Sequence, residues 1–146
     1  MPIESSAPSP VGTSAAIRIA NGMSELARVA TLVDDFGARH QFSNEVIVAL
    51  NVSLDEILNN IISYGYEAEG RHDIAVRLEL RGGIVEVVVE DDGKAFDPLA
   101  VATPRPRSET EVGGVGLHFV RSLMDQLEYS RLDGINRLRL TKKLEG

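Results

Sequence analysis

IAVRLELRGGIVEVVVEDDG, residues 74–93, is the stretch on which the fold turns. Ile74, Val76, Leu78 and Leu80 alternate with Ala75, Arg77, Glu79 and Arg81, the period of two of a strand with one buried face. Gly82-Gly83 reads as a tight hairpin turn, because both central residues of such a loop need positive φ. Residues 84–90 follow as a second, strongly β-branched strand whose middle, 85–89, reads as the buried centre of a sheet. Asp91-Asp92-Gly93 ends it.

Working outward toward the N-terminus, Ser43 is an N-cap for a long helix running to about Tyr64. Its apolar stripe is Ile47, Leu50, Leu54, Ile57, Leu58 and Ile61. Before it, Leu26, Val29, Ala30, Leu32, Val33 and Phe36 mark a helix starting near Ser24 and stopping by Gly37 to His40. Residues 15–20 form a short strand closed by Asn21-Gly22. On the C-terminal side, residues 94–112 hold three prolines and no periodicity, a long loop of the kind that is often functional. Gly113-Gly114-Val115-Gly116 opens a third helix through Leu117, Val120, Leu123, Met124 and Leu127. Residues 128–132 and 135–144 form a closing hairpin turned at Asp133-Gly134. The order predicts an α+β fold, a two-layer sandwich with a mixed, mostly antiparallel sheet and its helices on one face. Residues 15–146 make a single domain, and 1–14, rich in Pro and Ser, a flexible leader.

Composition narrows the chemistry. The chain has 146 residues, enough for one domain with a sizeable core. Its net charge of −7 makes it a poor candidate for binding nucleic acid or an anionic membrane through charge. With no cysteine, disulfides, thiol catalysis and zinc–thiolate sites are excluded. The start lacks a signal peptide's basic and apolar regions, and no uninterrupted apolar run reaches the ~20 residues of a membrane span. A cytoplasmic protein is expected.

Three clusters could carry chemistry. Glu56 and Asn60 lie four apart, on one helix face that borders the apolar stripe. A carboxylate beside an amide oxygen suits a hard cation and a general base. A solvated helix face explains the same residues, and Asp55 with Asn59 makes a competing pair on the next face. Asp91 at a strand end can accept a hydrogen bond from a base's amino group, with Gly93 allowing close approach; a simple turn is the plainer reading. Gly113-Gly114-Val115-Gly116-Leu117 at a helix start offers backbone N–H groups to an anion, or is only a hinge. It is not a Walker A loop, since no Lys-Ser or Lys-Thr follows, and no strand precedes it as in a dinucleotide fingerprint. His40, His72 and His118 show no metal spacing.

The order of the three clusters resembles the GHKL ATP-binding fold, over nearly the whole chain from about Ala15 to Leu144. Within it, the sequence resembles the small stand-alone branch of RsbW/SpoIIAB-like anti-sigma factor serine/threonine kinases. LDEILNNIISYGY, 54–66, looks like the branch's N box, with its aromatic–Gly–Tyr ending. VEDDGKAFDP, 89–98, looks like the G1 box, with Ala95 where a second glycine is common. GGVGLHFV, 113–120, looks like the G2 box.

The resemblance implies roles. Glu56 would be the general base toward a protein serine, and Asn60 the ligand of a Mg2+ that accompanies ATP. Asp91 would bond the adenine amino group, with Gly93 and Ala95 beside the nucleotide. Residues 97–112 would be the ATP lid, from which Arg105 or Arg107 reaches the γ-phosphate. Gly114, Val115, Gly116 and the Leu117 amide would face the phosphates. The function implied is an anti-sigma factor that is also a serine-protein kinase. It would bind a sigma factor and phosphorylate a STAS-domain anti-anti-sigma protein, as a homodimer with no direct nucleic-acid or membrane contact. The alternative is a non-catalytic nucleotide-binding module that switches partners by competition. A detached histidine-kinase catalytic domain would need a phosphoacceptor helix, which the sequence lacks.

Overall fold

A computed structural model describes residues 13–66, 70–95 and 114–144. Strand β1 (Ser14–Ala20) leads through a 3-10 turn (Met23–Glu25) into α1 (Leu26–Arg39) and α2 (Asn44–Tyr64). Strands β2 (Asp73–Arg81) and β3 (Ile84–Asp91) follow, then α3 (Gly114–Leu123), β4 (Gln126–Leu132) and β5 (Ile135–Lys143). The expected two-layer α+β sandwich is the observed one, with one adjustment to its sheet. All four strand pairs are antiparallel, in the order β1-β2-β3-β5-β4, so among the described residues the sheet is not mixed.

Local chemistry accounts for the elements. Gly82 (φ 54) and Gly83 (φ 84) make the β2–β3 turn, and Asp133 (φ 54) and Gly134 (φ 80) the β4–β5 turn, both with the positive pair that matches strand twist. The Ser43 hydroxyl accepts from the Val46 amide at 3.2 Å, capping α2 as expected. The start of α1 differs from the expected Ser24. There the Glu25 carboxylate accepts from the Ala20 amide at 3.0 Å, binding the chain into a tighter 3-10 turn before the α-helix begins. The expected leader also gives way at its end: the Thr13 carbonyl accepts from the Leu80 amide at 2.7 Å, and β1 already includes Ser14.

The core lies between the helices and one sheet face. Val46, Ala49, Leu50, Leu54, Ile57 and Leu58 of α2 pack with Val29, Val33 and Phe36 of α1 and Val120 of α3. They cover Ile19, Ile74, Val76, Leu78, Val85, Val87, Val89, Leu138 and Leu140 from the sheet. Each of the Val, Leu, Ile and Phe side chains among them contributes ~1.5–3 kcal/mol through burial. Helix α2 is by length and composition apolar enough to cross a membrane, but Asp55, Glu56, Asn59 and Asn60 interrupt it and its apolar stripe lies in this core.

Candidate functional site

The two carboxylate–amide pairs of α2 differ in exposure. Glu56 and Asn60 are half-buried, whereas Asp55 and Asn59 are exposed. Asn60 Nδ2 donates to Glu56 Oε2 at 3.2 Å. That bond uses the amide nitrogen and leaves the Asn60 carbonyl oxygen and Glu56 Oε1 without a donor among the described residues. Asn59 instead accepts from the Ser63 hydroxyl along its own exposed face.

The end of α2 is stitched directly to the end of β3. Gly65 caps the helix with its amide on the Ile61 carbonyl at 2.8 Å, and its own carbonyl accepts from the Lys94 amide at 2.8 Å. A Cβ on Gly93 would sit 2.6 Å from the Gly65 carbonyl oxygen, closer than atoms allow. Gly93 was expected to clear space for a ring; here its missing side chain lets two backbone segments meet. Ala95 follows as exposed, irregular chain.

Asp91 is 7% exposed. Its Oδ1 accepts from the Gly93 amide at 2.8 Å and from Asn136 Nδ2 at 3.1 Å. Burial raises its carboxyl above the ordinary value; the Asn136 and Gly93 N–H groups pull it partly back, and Asp92 pushes it up again. Beside it Tyr66 stacks on His72, ring centroids 4.3 Å apart and 15° from parallel. His72 Nδ1 lies 3.3 Å from Asp92 Oδ1. The Tyr66 hydroxyl is buried without a partner among the described residues. Burial, then Asp91, Asp92 and Asp73, raises its pKa, so it remains a protonated donor.

Helix α3 begins at Gly114, so Gly114, Val115, Gly116 and Leu117 form its first turn as expected. It packs against α2. Arg105, Arg107 and the rest of the lid 97–112, with Gly113, lie outside the described residues. The structure therefore joins the C-terminal end of the helix that carries the first cluster to the strand end that carries the second, and places the third on a helix neighbouring α2. Sequence reasoning missed Asn136, Arg131 and Tyr129. Their signal was a polar residue, Asn136, in the inward register it shares with Leu138 and Leu140.

Among the described residues no three His, Cys, Asp or Glu side chains cluster as a metal site. The donor set is one amide oxygen beside a carboxylate. That fits magnesium, which is usually held by one or two protein ligands while phosphates and water supply the rest.

This architecture is that of a nucleotide-binding α+β sandwich. The chain belongs to the histidine kinase-like ATPase domain family, which it matches over residues 19–142. It is 34% identical over 114 residues to the serine/threonine-protein kinase BtrW of Bordetella bronchiseptica, covering 75% of this chain and 79% of that protein. It is 25% identical over 116 residues to the serine-protein kinase RsbW of Bacillus subtilis, covering 75% and 72%. Among solved structures it resembles the RsbU and RsbW domains of a Mycobacterium tuberculosis protein, with a TM-score of 0.67 and 20% identity. That likeness covers 94% of this chain and 33% of the longer one, and shows the fold. The expected family is the observed one, and the relatives named here are serine or serine/threonine kinases.

Proposed function

We propose that the chain is a serine-protein kinase and anti-sigma factor of a partner-switching system. It binds a sigma factor, and it phosphorylates a STAS-domain anti-anti-sigma protein on serine with Mg-ATP. The observation that carries this reading is the seam at which Gly65 and Lys94 join the Glu56–Asn60 helix to the Asp91 strand end. One acid–amide pair and one base-reading carboxylate thereby share a rigid frame.

Asp91 accepts from the adenine amino group, and the amides of Gly114, Val115, Gly116 and Leu117 point at the phosphates. Arg105 or Arg107 reaches the γ-phosphate from the lid. When bound, magnesium would offset the phosphate charge, with the Asn60 carbonyl oxygen as its protein ligand. Glu56 removes the proton from the incoming serine hydroxyl. Phosphoryl transfer asks little more of a protein than such positioning and one proton acceptor. Phosphate on the partner then adds negative charge against a chain of net charge −7, which favours release. The protein works in the cytoplasm as a homodimer, touching neither nucleic acid nor membrane.

The test is transfer of labelled phosphate from ATP to a STAS-domain protein. Wild type should transfer it, and Glu56→Gln should be slower by about 10²–10⁴-fold, the usual contribution of a general base. A wild type that holds its partner and transfers nothing would establish the non-catalytic module instead.

A further inference from the structure

Arg131, Asn136 and Asp91 form one cross-strand row. Arg131 of β4 is the register partner of Asn136 of β5, which is the partner of Asp91 of β3. Asn136 is 6% exposed, and a polar group this buried must be hydrogen-bonded or it destabilises the fold. Its Nδ2 meets Asp91 Oδ1 at 3.1 Å, the Gly93 carbonyl at 3.2 Å and the Lys94 carbonyl at 3.0 Å. Its Oδ1 accepts from the Tyr129 hydroxyl and from Arg131 Nη1 at 2.8 Å. The same Arg131 nitrogen donates to the Gly93 carbonyl at 2.9 Å. Acceptors around one end of the amide and donors around the other permit a single orientation.

We propose that Asn136 is the positioning residue for base recognition, fixing which oxygen of Asp91 meets the nucleotide and clamping the chain where it leaves β3. This rests on the reading of Asp91 as the adenine acceptor. The Gly93 amide and Asn136 Nδ2 both occupy Oδ1, so Oδ2 is the oxygen left, among the described residues, to accept from a ligand. An ionised carboxylate there accepts from an amino group and repels a carbonyl oxygen, which separates adenine from guanine. Ionisation has to survive burial. Asn136, the Gly93 amide and Arg131 favour it; Asp92 opposes it, and His72, Tyr66 and Asp73 border the same end of the sheet.

Asn136→Asp is nearly isosteric but puts an acceptor where the donor was. At about pH 7.5 two adjacent carboxylates would share the site, and Mg-ATP affinity should fall about 30-fold and the ATP-to-GTP preference about tenfold. Toward about pH 5.5 a shared proton restores a donor, so the variant should close on wild type measured at the same pH. Asn136→Leu should weaken binding with no such recovery. Tyr129→Phe, which keeps the ring and removes one of the two donors that hold Asn136 Oδ1, should lower the preference about threefold, and serves if the Asn136 variants do not fold. Wild-type preference in Asn136→Asp at every pH, or in Tyr129→Phe, would overturn the proposal. Asp91→Asn in the same titration separates the two layers. If it abolishes the preference while the Asn136 and Tyr129 variants retain it, only the positioning role falls. If it too has no effect, the base-site reading falls as well.

Discussion

Strand β3 carries a buried carboxylate on each face of the sheet, Glu86 on the side away from the described helices and Asp91 on the helix-covered side, each 7% exposed. They are treated oppositely. Glu86 is met by guanidinium groups: Arg139 Nε bonds it directly, and Arg81 Nη2 lies 3.3 Å away. Burial works against its ionised form, but Arg139, Arg81 and Arg77 outweigh that and hold its carboxyl below the ordinary value. Asp91 receives neutral N–H donors on one oxygen, and burial leaves its carboxyl raised. The face away from the described helices pairs its acid with cations. The covered face keeps an acid only partly compensated, which is what a binding carboxylate requires.

Breaking the Asp91 end should have the largest effect. Gly93→Ala forces a Cβ to 2.6 Å from the Gly65 carbonyl oxygen, backbone against backbone. It should destabilise the chain by about 3 kcal/mol in denaturant titration and remove ATP binding in calorimetry. Wild-type stability would show that the seam can slide. Asp91→Asn should lower ATP affinity about tenfold while leaving thermal stability equal or higher, since a buried ionised group is removed. A large loss of melting temperature would make Asp91 a structural residue.

On the other face the sign reverses. Glu86→Gln should cost about 1 kcal/mol in denaturant titration, whereas Glu128→Gln, at the exposed end of the same Arg139, should cost less than about 0.5 kcal/mol. Equal losses would mean burial does not govern the pair. The pH dependence follows. The Glu86 contribution is present above the unfolded carboxylate range and is lost as pH falls through its lower folded pKa. At Asp91 the folded chain binds the proton more readily than the unfolded one. Stability from that site therefore declines as pH rises through its raised folded pKa, and Asp91→Asn should flatten that decline in melting curves.

Much of this was legible in the sequence, because it is local. The two hairpins, the Ser43 cap and the extent of α2 each depend on a few adjacent residues. The insertion of β5 between β3 and β4 depends on a pairing 45 residues apart, Asn136 with Asp91, and no periodicity reports it. The Glu56–Asn60 pair could be placed at the border of the core by angle alone. Its advantage over Asp55–Asn59 came from half-burial, which needs the neighbouring elements. Asn136 escaped notice because a single polar residue in an inward register becomes meaningful only when its partner strand is known.

Calorimetric titration of Mg-ATP into wild type and Asn60→Ala tests the central claim most directly. The account predicts saturable heat in the wild type, at least about tenfold weaker binding in the variant, and the same melting temperature for both without nucleotide. No heat in the wild type, or equal affinity in the two, would contradict it.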